Sequence, residues 1–317
     1  MGIAIASGDP IESTKGARAR QRDVSLATKW LGELIGTYLL VLFGCGAVHA
    51  AVLMGAQSGI WQIAVVWGVA IMLACYSVGA ASGAHINPAI TVAFAVWRKF
   101  SWRLVIPYLS AQLVGAFLAA ASLFTLFNPY LAAKEQAKGV VRGQPGSEIT
   151  AMCYGEYFPG PAPIADGPAL YSQADHARLN AMVSESAGFL AEALGTLILA
   201  FVVFAVTDER NRSAPPQGLA PDFIGLTVAG LISFIAPLTQ ACFNPARDFG
   251  PRLFAFLAGW GAVALPGQRG TGFFTVYILA PVVGAIVGAG LYARLFGHIH
   301  ASMPDSDLNS LEEISSR

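Results

Sequence analysis

Two stretches decide the fold: Ser82-Gly83-Ala84-His85-Ile86-Asn87-Pro88-Ala89, and Asn244-Pro245-Ala246-Arg247-Asp248-Phe249-Gly250-Pro251-Arg252. Each carries the triplet Asn-Pro-Ala at the head of an apolar segment, 87–97 and 244–257. Asn is a favoured N-cap, and Pro at the first helical position is already set for helix entry. Each triplet therefore starts a helix. About eleven helical residues cover ~16 Å, roughly half of a ~30 Å hydrocarbon core. Both are half-helices.

Around them lie six longer apolar segments, near 29–54, 60–80, 104–127, 188–207, 219–236 and 273–296. Each approaches the ~20 residues that cross a bilayer as a helix. Strict apolar–polar alternation is missing and Ala, Leu and Gly dominate, which argues against a closed barrel. Composition agrees: 55% of the 317 residues are hydrophobic and 12% charged, where soluble domains carry about 25% charged. Mean hydropathy is +0.57, and 19 basic residues balance 19 acidic ones. Disorder, collagen and a nucleic-acid-binding face are excluded. Four cysteines make no disulfide framework; Cys45, Cys75 and Cys242 sit in apolar or tightly packed stretches as reduced thiols.

The chain repeats itself. Glu33-Leu34-Ile35-Gly36-Thr37 returns as Glu192-Ala193-Leu194-Gly195-Thr196, and Asn87 follows Glu33 by 54 positions where Asn244 follows Glu192 by 52. Each half reads span, span, half-helix, span. Three spans per half forces the second half in upside down, an inverted repeat whose working site lies where the broken helices meet. The expected organisation is a polar tail at 1–28, a membrane domain at 29–297 and a polar tail at 298–317. The repeats fall at about 29–128 and 188–297, with a long Gly- and Pro-rich loop at 129–187, read as a solvated connector. Lys29 and the N-terminal arginines, Arg98, Lys99, Arg103, Arg210, Arg212 and Arg294 fall on one side. The positive-inside rule makes it cytoplasmic, with both termini, and puts the long loop outside.

With those residues in view, the chain resembles the major intrinsic proteins. It is most similar to the glycerol-facilitator (aquaglyceroporin) branch, because Asp248 follows Arg247 and Gly259-Trp260-Gly261 follows the second half-helix. The resemblance implies an all-α, aquaporin-like membrane fold with six transmembrane helices and two re-entrant half-helices. It also implies a homotetramer in a cell membrane that conducts glycerol, water and other small uncharged solutes without a cofactor. Carried over residue by residue, the family's constriction falls on Trp67, Ile232, Ala241 and Arg247. Ile232 and Ala241 depart from the branch, which resembles Gly and Phe there; the four together are similar to nodulin-like plant channels. Tyr277 departs too, because the branch resembles Pro there.

The residues carry their own physical reading. Two half-helices meeting head to head place partial positive charge at the centre, which repels cations. The Asn87 and Asn244 side chains can cap their helices through oxygen and leave NH2 for a passing solute. Gly83, Ala84 and His85, and Gln240, Ala241 and Cys242, precede the helices as non-helical backbone, which at membrane depth must line a cavity or be buried; the family's pattern makes their carbonyls a ladder of acceptors. His85 is either a pore-lining imidazole or a packed one, with no second ligand at metal spacing. Arg247 at depth should face a water-filled passage, the alternative being a helix anchor held by a counter-charge. Asp248 points to loop groups or to Arg252. Glu33 and Glu192 lack partner acids, so they read as scaffolds receiving backbone N–H groups rather than as a proton relay. Cys242 is a candidate for mercurial block or a small packing residue. Gly36, Gly68, Gly115, Gly195, Gly225, Gly284 and Gly288 suit close helix contacts within the chain.

A passive channel is the leading function, with glycerol foremost. The alternatives are a broader channel for urea, metalloid acids or small neutral acids, and a secondary active transporter, which also uses inverted repeats but needs a coupling-ion site. An enzyme is disfavoured because no nucleophile with a base and no acid cluster is present.

Overall fold

The computed structural model describes residues 24–57, 59–97, 100–162, 170–267 and 269–297. The tails up to residue 23 and from 298, together with Arg98 and Lys99, lie outside the described residues. Six helices are long and apolar enough to cross a membrane: α1 (Leu26–Met54), α2 (Ile60–Ser82), α4 (Trp102–Lys138), α7 (Glu185–Val206), α8 (Ala220–Thr239) and α10 (Gly272–Leu295). Between them sit the half-helices α3 (Pro88–Trp97) and α9 (Pro245–Ala255), and the short α5 (Glu148–Ala151) and α6 (Gln173–Asn180). No strand occurs among the described residues.

Local signals set the boundaries. Ser25 and Ser184 cap α1 and α7 by accepting from Thr28 N and Ala187 N. Pro88 and Pro245 open the half-helices at the first turn. The two repeats then pack alike. A Cβ on Gly115 would lie 2.2 Å from Leu34 O, joining α4 to α1; one on Gly284 would lie 2.1 Å from Ala193 O, joining α10 to α7. Leu34 and Ala193 follow the repeated glutamates, so one small-residue contact is built twice, and only Gly permits so close an approach of backbones. Gly68 and Gly225 face each other across the repeats, each having the other's carbonyl within 2.7 Å of its added Cβ.

The described part of the loop expected at 129–187 is largely packed rather than a solvated connector, residues 163–169 lying outside the described residues. Helix α4 runs through Pro129 to Lys138, because an interior Pro removes one hydrogen bond without ending a helix that is packed on both sides of it. Glu135, near its end, is buried and takes Arg142 and Thr150 as partners. Beyond it, Ser147 to Tyr154 are buried, with Trp260 Nε1 donating to Thr150 Oγ1 at 3.0 Å. In this segment Ala151, Met152, Cys153 and Tyr154 pack in one cluster with Val48 and Val52 of α1, Ala120 and Leu131 of α4, and Trp260.

Candidate functional site

The half-helix N-termini are locked to each other. Asn87 Oδ1 accepts from Ala89 N at 2.9 Å, and Asn244 Oδ1 accepts from Ala246 N and Arg247 N at 3.1 and 3.3 Å. Their nitrogens cross the repeat boundary: Asn87 Nδ2 donates to Phe243 O, and Asn244 Nδ2 to Ile86 O, both at 2.8 Å. Each amide nitrogen is thus bonded to protein, where the sequence reading leaves it for a passing solute. A carboxamide carries two N–H donors, so each asparagine has a second one beyond this bond.

The backbone entering each half-helix is left-handed at matching positions. Ala84 and Ile86 have φ of 48° and 43°, and their counterparts Ala241 and Phe243 have 59° and 54°. Non-glycine residues here cost about 1–3 kcal/mol apiece and persist only where the surroundings over-determine them. The glutamates supply that restraint. Glu33 accepts from His85 N at 2.9 Å and Ile86 N at 2.7 Å; Glu192 accepts from Cys242 N at 2.9 Å and Phe243 N at 2.8 Å. Gln112 Nε2 adds a bond to Glu33 at 2.7 Å, and Thr239 Oγ1 one to Glu192 at 2.6 Å. Tyr108 and Tyr277 complete the symmetry by donating to Ser82 O and Thr239 O at 2.8 and 3.0 Å. Tyr277, which departs from the glycerol branch, is therefore a tether on the same strained stretch.

Trp67, Ile232, Ala241 and Arg247 come together. All four, with Cys242 and both asparagines, line a narrow cavity of about 40 Å³. The Arg247 guanidinium lies 4.2 Å from the centroid of the Trp67 ring. It also pairs with Glu156 at 2.5 Å, so Arg247 both borders the narrow space and is held by a counter-charge. Sequence reasoning missed Glu156. Its signal was an aromatic island, Cys153-Tyr154-Gly155-Glu156-Tyr157-Phe158, inside a loop otherwise rich in Gly and Pro. Asp248 holds this loop in place: Oδ1 accepts from Glu156 N at 2.7 Å, and both oxygens take Arg252, at 2.8 and 2.9 Å. Arg252 in turn donates to Glu156 O and Ala264 O.

Larger spaces flank the narrow one. A cavity of about 530 Å³ lies on the side of Thr207 and Glu209, lined by Gly83, Ala84, His85 and both asparagines. A second, of about 290 Å³, lies on the side of Pro159 and Gly160 and shares Trp67, Ile232 and Arg247 with the narrow space. Gln240 lines this one, and its Oε1 accepts from Tyr157 N at 2.8 Å. His85 is both packed and lining: its ring lies within 5.1 Å of Phe94, Phe100 and Tyr108, and Nδ1 meets Thr91 Oγ1 at 3.3 Å. Cys242 Sγ donates to Asn244 O at 3.1 Å. Among the described residues, no three His, Cys, Asp or Glu side chains gather as a metal site.

Six spans, two head-to-head half-helices and a narrow space between two wider ones define a membrane protein with a channel-type fold. The major intrinsic protein profile matches residues 20–292, and the chain belongs to that family. It is 40% identical to the glycerol uptake facilitator protein of Pseudomonas aeruginosa over 86% of this chain and 89% of the relative. It is 38% identical to that of Haemophilus influenzae, over 87% and 96%, and 39% identical to the propanediol uptake facilitator of Citrobacter freundii, over 86% and 93%. Its fold is that of the aquaglyceroporin from Plasmodium falciparum, with a TM-score of 0.71 at 21% identity over 88% of this chain and all of that one.

Proposed function

We propose that this chain is a passive channel for glycerol, water and other small uncharged solutes, excluding ions and protons. The observation that carries it is the file of three spaces, in which Trp67 and Arg247 border both the narrow space and one of the wide ones. A polyol can lay its carbons along the Trp67 face and Ile232 while its hydroxyls accept from Arg247 and the spare amide hydrogens of Asn87 and Asn244. The carbonyls of Gly83, Ala84, His85, Gln240, Ala241 and Cys242 would accept its hydroxyl hydrogens in turn. The half-helix N-termini add about half a positive charge each, which opposes cations and hydronium. Nothing in this passage requires catalysis. The glycerol and propanediol uptake facilitators similar to it support the solute class.

In this reading the chain is a homotetramer in the cell membrane, with Lys29, Arg103, Arg210, Arg212 and Arg294 on the cytoplasmic side. The repeats at about 29–128 and 188–297 form the channel domain, and the segment at 129–187 faces outside. Stopped-flow light scattering on proteoliposomes tests the function. Glycerol flux should be non-saturating and indifferent to proton or sodium gradients. Gradient-driven accumulation would overturn the channel in favour of a transporter.

A further inference from the structure

The Trp67 wall of the narrow space rests on a residue that never touches the lumen. Gly44, on α1, is buried and lines none of the three cavities. A Cβ placed on it would lie 2.2 Å from Trp67 Cε3, 2.3 Å from Cζ3 and 2.4 Å from Cδ2. Three consecutive ring carbons at nearly equal distance put that Cβ over the ring's face; beyond the edge, the outer two would be clearly farther. The indole is therefore seated flat on the α1 backbone, at a depth only glycine allows.

We infer that Gly44 is a specificity-determining position, setting the width of the passage by setting the depth of Trp67. This rests on the reading of Trp67 as a wall of the solute path. An ordinary carbon contact is about 3.5–4.0 Å, so any side chain at 44 drives the ring more than about 1 Å off α1. The ring covers Gly44 from the narrow space, so leaving α1 moves it into that space, towards Arg247. In a cavity of only about 40 Å³ this shift decides which solutes pass. Water, the smaller permeant, tolerates it better than glycerol. The helix itself gains from the change, because Ala is a better helix former than Gly. A flux defect would thus come from the ring and not from α1.

The test compares glycerol and water permeability in proteoliposomes for the wild type and the variants Gly44→Ala, Trp67→Leu, Gly44→Ala/Trp67→Leu and Gly46→Ala. Gly46 is one helical step pair away, and its added Cβ would meet only Leu123 Cδ2, at an ordinary 3.4 Å. Gly44→Ala should lower the glycerol-to-water ratio about tenfold, the strain of one overpacked contact. Gly46→Ala should leave both fluxes unchanged. The double variant, lacking the ring that the methyl strikes, should return to the ratio of Trp67→Leu alone. If Gly44→Ala does not fold, the double variant must fold and conduct, and its failure to do so overturns the inference. A ratio altered by Trp67→Leu but not by Gly44→Ala overturns the inference alone. A ratio that Trp67→Leu leaves unchanged removes Trp67 from the solute path and takes the reading beneath it as well.

Discussion

Removing the Glu192 carboxylate should release the strained stretch before the second half-helix, and the loss can be counted bond by bond. Its Oε1 accepts from the Thr239 hydroxyl and Cys242 N, and Oε2 from Phe243 N. Glu192→Gln keeps one acceptor oxygen, which can serve the pair at Oε1 while the amide NH2 confronts Phe243 N–H. One buried donor is orphaned, at about 1–3 kcal/mol. Glu192→Ala orphans all three, about 3–9 kcal/mol by the same measure, at a site with no exposure to solvent. Against a typical total stability of about 5–15 kcal/mol, the Ala variant loses a large share and the Gln variant a modest one. Denaturant unfolding of the purified protein in mild detergent measures both, and proteoliposome flux reports whether the passage survives. The order should be wild type, Gln, Ala, repeated by Glu33→Gln and Glu33→Ala in the other half. An Ala variant as stable as the Gln variant would refute the assignment, because donor count would then have no effect.

Glu156→Gln should destabilise by about 3–5 kcal/mol by leaving Arg247 as a buried unpaired charge. Adding Arg247→Met should recover much of that in a double-mutant cycle, and strictly additive losses would show that the two do not interact. Ala241→Phe should cut permeation by solutes bulkier than glycerol while sparing water; equal loss of every solute would mean that position 241 does not border the path. His176 is a pH probe outside the spans. Burial lowers its pKa, Glu148 opposes that, and Arg269 adds to it. The unfolded chain then binds a proton near pH ~6.5 that the folded one refuses, so stability falls as pH drops below that value. His176→Gln should flatten stability below about pH 6.5, and an unchanged slope would exclude His176 as its source.

The fold was legible because two independent patterns agreed. Hydrophobic length marked the six spans, and the paired triplets marked the two segments too short to span. The repeat of Glu33 at Glu192 pointed to backbone N–H groups as their partners, and the bonds to His85, Ile86, Cys242 and Phe243 have that form. Glu156 was hidden because its partner Arg247 lies 91 positions away, across segments that share no periodicity. Pro129 read as a loop opener because local propensity speaks for one turn, whereas the packing of α4 decides over ten. Gln112 was equally silent: a lone polar residue on an apolar span names no partner until the bundle brings Glu33 and Thr91 within 3.0 Å of it.

The sign of the selectivity follows from which buried charges reach the file and which are turned away. Glu33, Glu192, Glu156 and Asp248 are all buried, yet none lines the narrow space or the wide ones beside it. Glu33 and Glu192 spend their oxygens on N–H and side-chain donors, Asp248 on Arg252 and the Glu156 N–H, and Glu156 faces Arg247. Arg247 is the exception, present in the lining of both the narrow space and the 290 Å³ cavity. A cation reaching the narrow space would find hydrogen-bond donors and a guanidinium, with the buried carboxylates engaged behind the wall and Glu209 only at the rim of the 530 Å³ cavity. An anion would meet Arg247 and the two asparagines, but the rest of the wall, Leu40, Ile71, Leu199, Val228 and Ile232, offers no donors to replace its hydration shell. A neutral polyol needs little of either compensation, since its hydroxyls can bond along one side while its carbons lie on the other. The acids that outnumber the bases at this depth thus serve the backbone and the arginines, and Arg247 is the base left bordering the narrow space.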